Sequence, residues 1–368
     1  MRTALPATMH AAVLTGFGGP DKLVYRDDVP MPVAQTGEVL IRVGASAVNN
    51  TDINTRVGWY SKTVDSATGV NSVGFDASAD ATPGWGGTAM QFPRIQGADC
   101  CGTIVALGAG VDAQRVGQRV GQRVLVRPVL RMYAGYTPFA CWYLGSECDG
   151  AFAQYTKVPA DAALPIHSKL GDAELATFPC AYSTAENLLT RSGVRAGDRV
   201  LVTGASGGVG SAAVQLALLR GAQVVVQAAP EKQAALLELG AEAAIDRGED
   251  ALRSLGANAV SVVIDLVGGP QWPLLLDALR TGGRYASAGA IAGPVVPLDL
   301  RTLYLKDLSL FGCTFQDDII FDNLVGYIER GELRPLLAQT YALSDIAKAQ
   351  ADFSAKQFLG KLALVPPQ

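Results

Sequence analysis

A glycine-rich stretch near the middle of the chain constrains the fold more than any other feature. Residues 200–210 read Val-Leu-Val-Thr-Gly-Ala-Ser-Gly-Gly-Val-Gly, and apolar residues at helical spacing follow them. The first three residues are typical of a strand that is buried on both faces. Because glycine has no Cβ, a turn built from glycines lets the backbone approach a bound group and lets a helix pack closely on a strand. The stretch therefore predicts a strand, a tight turn and a helix in direct succession.

The predicted turn has the context of an anion-binding site. A helix N-terminus offers unpaired N–H groups and the positive end of the helix dipole. A further strand is predicted at 223–227, so the order of elements is the one found around the pyrophosphate of a bound dinucleotide. This context favours a cofactor site over an ordinary tight turn, and the glycines and polar residues of 201–219 make it a poor membrane-spanning helix. The predicted cofactor-binding residues of the turn are Gly204, Ser206, Gly207, Gly208, Val209 and Gly210.

Length and composition exclude several classes of protein. A chain of 368 residues with 49% hydrophobic and 17% charged residues has core material for two domains. The net charge of −4 gives no basic footprint for nucleic acid, and two histidines are too few for a histidine-rich metal site. The six cysteines do not form a disulfide framework, and the N-terminus lacks the apolar core of a signal peptide. We therefore expect a cytoplasmic protein with free thiols.

The chain divides into two regions with different sequence patterns. Up to about residue 165, short strands alternate with glycines and prolines, as in a barrel-like β domain, and residues 61–92 read as a long loop. From about residue 173, strands and helices alternate, which predicts a parallel, doubly wound α/β sheet. A last strand at 361–365 is expected to rejoin the first domain. The six strands predicted for the parallel sheet are 199–203, 223–227, 243–245, 260–265, 284–288 and 308–312.

A series of motifs gives the chain a family resemblance over nearly its full length. The motifs are GEVLIRV (37–43), AVNNTDIN (47–54), GADCCGTIV (97–105), GDRVLVTGASGGVG (197–210), VIDLVGG (263–269) and GKLALV (360–365). Together they resemble the medium-chain dehydrogenase/reductase superfamily. The resemblance implies a GroES-like, β-rich catalytic domain formed by 1–172 and 318–368, and a Rossmann domain formed by 173–317, with the active site in the cleft between them. It also implies further cofactor contacts from Thr184, Val267, Gly268, Gly289 and Phe311.

The same resemblance bears on zinc. Zinc alcohol dehydrogenases of this superfamily use ligands at positions that carry Asn49, Ala98, Asp99 and Cys180 in this chain. One thiol does not provide the three protein ligands of a catalytic zinc site. The structural-zinc lobe of those enzymes needs four cysteines, and only Cys141 and Cys148 lie in that region. We therefore expect no bound metal.

The remaining similarity is to the quinone oxidoreductase (zeta-crystallin-like) branch, which includes enoyl-thioester reductases. Tyr60 stands where those reductases carry their proposed proton donor, and Asn49, Asn50 and Thr51 are the expected polar contacts of the same site. Reduction of an activated C=C bond needs a positioned hydride donor, hydrogen-bond donors for the enolate oxygen and a proton for the α-carbon. The alternative for Tyr60 is an aromatic wedge packed beside Trp59.

The residue at the end of the second strand of the predicted parallel sheet indicates whether the chain prefers NAD or NADP(H). NAD enzymes carry an acid there for the ribose hydroxyls, whereas this chain has Gln227. Lys232 stands where some of these reductases bind a 2′-phosphate, although it is also placed as a solvated lysine at a helix start. We therefore predict NADP(H) as the cofactor.

The expected function is an NADPH-dependent reduction of quinones or activated C=C bonds in a small-molecule substrate, without zinc. The alternatives are a zinc-type alcohol dehydrogenase and a non-catalytic nucleotide-binding protein. No nucleic-acid or membrane partner is expected. The resemblance implies a homodimer, with the strand at 308–312 as a candidate contact.

Overall fold

The computed structural model describes residues 5–68, 75, 84–112 and 119–368. Up to residue 165, these described ranges contain ten strands of the β-rich part: β1 (Thr8–Leu14), β2 (Leu23–Pro30), β3 (Glu38–Ala47), β4 (Arg94–Ile95), β5 (Cys101–Leu107), β6 (Arg123–Val126), β7 (Val129–Leu130), β8 (Trp142–Tyr143), β9 (Tyr155–Pro159) and β10 (Ala163–Pro165). Two short helices belong to the same stretch of chain, α1 (Asn50–Val57) and α2 (Asp172–Leu175).

Strands and helices then alternate, as the sequence predicts. The elements are α3 (Pro179–Arg191), β11 (Arg199–Thr203), α4 (Gly208–Leu219), β12 (Gln223–Ala228), α5 (Pro230–Glu238), β13 (Ala243–Asp246), α6 (Ala251–Leu255), β14 (Val260–Asp265), α7 (Trp272–Ala278), β15 (Leu279–Ser287), α8 (Leu300–Leu305) and β16 (Ser309–Gly312). The chain continues with α9 (Asp318–Glu329), β17 (Leu337–Ala342), α10 (Ile346–Ala355) and β18 (Lys361–Val365).

The alternating elements form one six-stranded sheet. Its strand order is β13-β12-β11-β14-β15-β16, and every neighbouring pair is parallel. This is the doubly wound order of a Rossmann fold, so the predicted fold class is confirmed. The order reverses between β11 and β14, and ligands of such sheets bind in the crevice at the carboxyl ends of these central strands. The glycine turn follows β11 at that crevice.

The β-rich part is completed by the C-terminal segment. A seven-stranded sheet has the order β10-β6-β5-β3-β18-β17, with β9 also paired to β3. A separate three-stranded sheet has the order β2-β1-β4. Because β18 pairs antiparallel with β3, the last strand rejoins the first part of the molecule as expected.

Small and apolar side chains allow close packing between these layers. The residues Val200, Leu201 and Val202 of β11 are completely buried, as expected of a central strand. Helix α3 packs against α4 and α9, and its Tyr182 is buried against Phe178. Helix α3 therefore belongs to the core that packs against the parallel sheet, and its first turn lies near the crevice.

Several element boundaries differ from the prediction. The helix expected from Glu249 begins at Ala251, because the Asp250 carboxylate accepts the N–H groups of Leu252 and Arg253 and caps the helix there. The helix expected from Phe321 begins three residues earlier, at Asp318. Large parts of the predicted loop 61–92 lie outside the described residues. Among the helices of the described ranges, none has the length and apolar character needed to cross a bilayer.

Candidate active site

The glycine turn is shaped by backbone conformations and close contacts that glycine allows. Gly204 follows β11 with a φ of +60°, in the left-handed region that favours glycine. Gly207 is the N-cap of α4, which begins at Gly208. A Cβ on Gly210 would lie 2.6 Å from the Cα of Ala205, so a larger residue would push the helix off the turn. The turn thus brings the N-terminus of α4 to the carboxyl end of the central strand, where it can receive a pyrophosphate.

The loops after β14 and β15 form the neighbouring wall of the crevice. The buried Asp265 ends β14, and its carboxylate accepts the N–H of Val267 at 2.9 Å and of Gly268 at 3.2 Å. A cavity of about 270 Å³ lies on this side of the sheet. Gly268, Gly289 and Phe311, which were predicted to line the path of the cofactor, are among its lining residues. The cavity extends from there toward β16.

The end of β12 carries no acid that faces the crevice. Gln227 is buried, and its amide nitrogen donates to the Glu249 carbonyl at 3.1 Å and to Gln271 Oε1 at 3.2 Å. Lys232 lies in the first turn of α5 and donates a hydrogen bond to the carbonyl oxygen of Lys356. Burial lowers the pKa of Lys232, and the nearby positive charge of Arg247 adds to this effect, while Glu231 opposes it. Two basic side chains, Lys232 and Arg247, thus lie near this strand end, together with the acidic Glu231.

Tyr60 lies just after α1, in the β-rich part of the chain. Gly58 ends this helix with a φ of +77°, and the Tyr60 hydroxyl returns to donate to Thr51 Oγ1 at 3.1 Å. Burial raises the pKa of Tyr60 to about 12, with hydrogen bonds to Thr51 and Asn54 opposing the shift, and the nearby Cys180 and Asp52 adding to it. The phenol therefore keeps its proton at ordinary pH. It is placed as a hydrogen-bond or proton donor.

Asn49 belongs to a buried polar cluster with Asp99, Cys180 and Lys361. The Lys361 ammonium donates to Asn49 Oδ1 and, at 2.8 Å, to Asp99 Oδ2. The amide nitrogen of Asn49 donates to Asp99 Oδ2 at 2.8 Å and to the Ala47 carbonyl at 3.2 Å. The remaining carboxylate oxygen, Asp99 Oδ1, accepts the backbone N–H of Cys180 at 2.7 Å. The Asn49 amide is thus fully engaged within the protein, and it influences the site through position.

Lys361 is the residue of this site that sequence reasoning missed. It was read as part of the motif GKLALV, a strand start, without a chemical role. Lys361 gains a role through its contact with the buried carboxylate of Asp99, which lies 262 positions earlier in the chain. The expected pairing of β18 with the first domain was the signal from which its place could have been inferred.

The other predicted residues lie around this centre. Asn50 is exposed at the start of α1, and its Oδ1 accepts a hydrogen bond from Lys356 Nζ at 3.0 Å. Thr184 lies in α3, one turn beyond Cys180, and is buried. The structure therefore places Tyr60 near Thr51 and Cys180, and it places the glycine turn beside Lys361, whose ammonium belongs to the same polar cluster as Cys180.

The segment after Tyr60 reaches across to the parallel-sheet part. The indole nitrogen of Trp59 donates to the Ser66 carbonyl at 3.0 Å. The N–H of Thr68 donates to the carbonyl of Ile291, in the loop that follows β15, at 3.1 Å. Residues 69–74 and 76–83 lie outside the described part of the chain.

The described residues hold no group of three or more histidine, cysteine, aspartate or glutamate side chains arranged to bind a metal ion. Burial raises the pKa of the Cys180 thiol well above its ordinary value, and Asp99 adds to this shift while Lys361 opposes it. A metal ion would have to displace the proton of this thiol in order to bind it.

Comparison with known proteins gives matches over both parts of the chain. The model of the alcohol dehydrogenase GroES-like domain matches residues 35–168, and the model of the zinc-binding dehydrogenase domain matches residues 208–330. A solved structure from Sinorhizobium meliloti 1021, provisionally assigned as an alcohol dehydrogenase, is 45% identical with a TM-score of 0.88, covering 99% of this chain and 98% of its own.

Three characterised relatives match at lower identity. An acryloyl-coenzyme A reductase from Sulfurisphaera tokodaii is 26% identical, over 95% of this chain and 98% of its own. A quinone oxidoreductase from Lama guanicoe is 28% identical, over 97% of each chain. A chloroplastic NADPH-dependent alkenal/one oxidoreductase from Arabidopsis thaliana is 26% identical, over 99% of this chain and 81% of its own. All three are similar to this chain across both of its parts.

Proposed function

Because the chain belongs to the medium-chain dehydrogenase/reductase superfamily, in its quinone oxidoreductase-like branch, we propose that its cleft reduces quinones or activated C=C bonds by hydride transfer from NADPH without zinc. The observation that supports the mechanism is the Tyr60 hydroxyl, which donates to Thr51 near Cys180 and whose pKa burial raises to about 12, so that it keeps its proton. The chain is an oxidoreductase that uses NADP(H).

The residues of the turn fit the cofactor. Because residue 210 is a glycine, α4 can begin close to the turn. The N-terminus of α4 then provides hydrogen-bond donors for a pyrophosphate. Gly268, Gly289 and Phe311 would line the nicotinamide end, and Thr184 would contact it from α3. When bound, NADPH supplies the hydride. We propose that Lys232 binds the 2′-phosphate of NADPH. No carboxylate at the end of β12 would repel this phosphate, and Arg247 adds a positive charge nearby.

Tyr60 has a different task for the two substrate classes. Addition of hydride to the β-carbon of an enone or enoyl thioester leaves an enolate, and the Tyr60 hydroxyl donates first a hydrogen bond to the enolate and then a proton to the α-carbon. Thr51, which accepts from Tyr60 at 3.1 Å, orients the hydroxyl. A quinone takes up the hydride and its product is protonated on oxygen, which exchanges protons with water directly. Tyr60 is therefore required for C=C reduction and dispensable for quinone reduction.

The zinc-free chemistry rests on the donor set. Asn49 and Ala98 offer neither a thiolate nor an imidazole, and Asp99 already accepts from the Lys361 ammonium, which leaves Cys180 as the one thiol among these four positions. These residues do not fit a catalytic zinc, which takes three protein ligands. The test is metal analysis of the purified protein after dialysis. About one tightly held zinc per chain would overturn this part of the proposal.

An alcohol dehydrogenase activity is the second candidate, because the relative at 45% identity carries that provisional assignment. One screen separates the candidates. NADPH oxidation is followed with quinones, enones and enoyl thioesters, and NADP⁺ reduction is followed with primary and secondary alcohols. Turnover of alcohols alone would favour the second candidate, and NADPH binding without any turnover would favour a non-catalytic role.

We also propose a division into domains at 1–172 with 318–368 and at 173–317, and a cytoplasmic homodimer. The support for the dimer is the outer edge of β16, the last strand of the parallel sheet. Leu310 is 38% exposed on this strand, and Tyr304 and Leu305 of α8 are 61% and 68% exposed. A second copy that pairs along this edge would cover the apolar surface and extend the sheet. Sedimentation at micromolar concentration tests the dimer.

A further inference from the structure

The carboxylate of Asp265 lies at the carboxyl edge of the parallel sheet, at the end of β14, and is completely buried. Its Oδ1 accepts from the Thr203 hydroxyl at 2.5 Å, and its Oδ2 accepts from the Tyr285 hydroxyl at 2.6 Å. Thr203 ends β11 and Tyr285 lies in β15, so the carboxylate joins three neighbouring strands. Hydrogen bonds to a charged group are stronger than those between neutral groups, and the loss of one partner leaves the other unsatisfied.

The same carboxylate, together with Thr203, holds the loop that follows β14. The N–H of Leu266 donates to the Thr203 hydroxyl oxygen at 3.0 Å. The N–H groups of Val267 and Gly268 donate to the carboxylate at 2.9 Å and 3.2 Å. Three successive N–H groups are thus fixed by two side chains, which sets the direction in which the loop 266–269 leaves the sheet.

The loop 266–269 continues in a conformation that glycine allows, and it packs against the loop after β15. Gly268 and Gly269 have φ angles of +63° and +70°. The N–H of Gly269 donates to the Gly293 carbonyl at 3.1 Å, and a Cβ on Gly268 would lie 2.9 Å from the same carbonyl oxygen. The two loops are therefore in direct contact, and Gly268 and Tyr285 both line the cavity of about 270 Å³.

The Tyr285 hydroxyl is held as a hydrogen-bond donor to this carboxylate. Burial raises the pKa of Tyr285 well above its ordinary value, and Asp265 adds to the shift, whereas hydrogen bonds with Ser287 and Trp272 oppose it. The ring of Trp272 packs edge-on against Tyr285 at a centroid distance of 5.7 Å. Tyr285 therefore keeps its proton at ordinary pH, and its neighbours fix the direction of the hydroxyl.

We infer that Asp265 is a positioning residue for the nicotinamide end of the cofactor: its carboxylate holds the loop 266–269 in the conformation that forms one wall of the cavity. The inference rests on the proposed function and deepens it, because the nicotinamide carries the hydride of the proposed reaction. Asp265 acts through the loop and not by contact with NADPH. The pyrophosphate is assigned to the N-terminus of α4 and the 2′-phosphate to Lys232, so Asp265 should affect one end of the nucleotide only.

Two variants and two ligands test this role. Asp265→Asn keeps the size of the side chain and replaces one acceptor oxygen with an amide donor, whereas Tyr285→Phe removes one hydroxyl and keeps the ring. Tyr182→Phe is the matched control, because Tyr182 is also a buried tyrosine and its hydroxyl donates to the Arg334 carbonyl at 2.9 Å. Each protein is titrated calorimetrically with NADPH and with 2′-phosphoadenosine 5′-diphosphate. This fragment retains the 2′-phosphate and the pyrophosphate and lacks the nicotinamide and its ribose.

We expect Asp265→Asn to weaken NADPH binding about tenfold and Tyr285→Phe to weaken it about threefold, while both variants bind the fragment within about twofold of the wild type. The dihydronicotinamide is the fluorophore of NADPH, so its emission at saturation reports whether the ring is held. This emission should fall toward that of free NADPH in both variants. The control Tyr182→Phe should match the wild type in all three measurements.

An equal loss of affinity for NADPH and for the fragment would indicate general damage to the nucleotide site and would overturn the inference. Unchanged binding of both ligands in both variants would overturn it as well. If circular dichroism shows that Asp265→Asn does not fold, Tyr285→Phe alone decides. Selective loss of NADPH affinity in a protein that reduces neither quinones nor activated C=C bonds would support the role of Asp265 and contradict the proposed reaction, so the two failures are distinguishable.

Discussion

Replacement of Tyr60 by phenylalanine separates the two substrate classes of the proposed mechanism. The change removes one hydroxyl, which donates a hydrogen bond to Thr51 at 3.1 Å. The loss of such a bond costs about 1 kcal/mol of folding free energy, so the variant should fold. The ring itself, which packs edge-on against Trp59 at a centroid distance of 5.6 Å, is retained.

The magnitude follows from the task of the proton. A positioned general acid contributes about 10²- to 10⁴-fold to rate. Because water can enter the space left by the hydroxyl of Tyr60, we expect the lower end, an about 100-fold loss of kcat with an enoyl thioester, which corresponds to about 2.7 kcal/mol in the barrier. With a quinone, whose oxygens exchange protons with water, the loss should stay within about threefold, since no proton transfer to carbon is needed.

The assay follows NADPH oxidation by crotonyl-coenzyme A and by 1,4-benzoquinone between pH 6 and pH 10. Since burial raises the pKa of Tyr60 to about 12, the phenol is protonated over this whole range. The wild type should therefore show no alkaline decline that is due to this group. Tyr143→Phe is the matched control, because Tyr143 is a second buried tyrosine close to Tyr60, with its hydroxyl hydrogen-bonded to Cys141. An equal loss with both substrates, or no loss with either, would refute the assignment and favour a purely packing role for Tyr60.

Four further predictions address other parts of the molecule. Lys232→Ala should weaken NADPH binding about tenfold, or about 1.4 kcal/mol, and leave NADH binding unchanged; equal affinity of the wild type for both nucleotides contradicts the assignment. Lys361→Met should cost about 3 kcal/mol in urea unfolding, and combination with Asp99→Asn should restore about 2 kcal/mol relative to the sum of the single changes, whereas additive effects would show that the buried pair is not coupled. Gly210→Ala should abolish NADPH binding measured by fluorescence while the β-rich part stays folded, because its Cβ would lie 2.6 Å from a backbone atom. Leu310→Asp should convert a dimer to a monomer in sedimentation, and an unchanged dimer would move the interface elsewhere.

Local patterns account for most of the fold that could be predicted. The strand at 199–203 and the turn after it are specified by neighbouring residues, so the prediction of β11 and α4 was close to the structure. Helix ends were less predictable, as at Asp250, where one side-chain cap moves the start of α6 by two residues. In the site, Tyr60 and Lys232 were found by resemblance to motifs, and their roles stay predictions.

The polar cluster could not be predicted in the same way. Asn49 was interpreted as a contact for substrate because its motif suggested one, but its amide is engaged by Asp99 and by Lys361. These partners are separated by long stretches of chain, and only the three-dimensional pairing of β18 with β3 brings them together. Sequence spacing carries no information about a contact of that range.

The return of β18 to β3 also bears on how the chain matures during synthesis. The parallel sheet uses the contiguous residues 199–312, so it can close as soon as they have left the ribosome. The β-rich part cannot be completed at that point, because Lys361 lies 312 positions after Asn49. Until that lysine arrives, the nascent chain holds a carboxylate at Asp99 without its cation. The order of emergence therefore leaves the addition of β18, and with it the buried polar cluster, as the last step of folding.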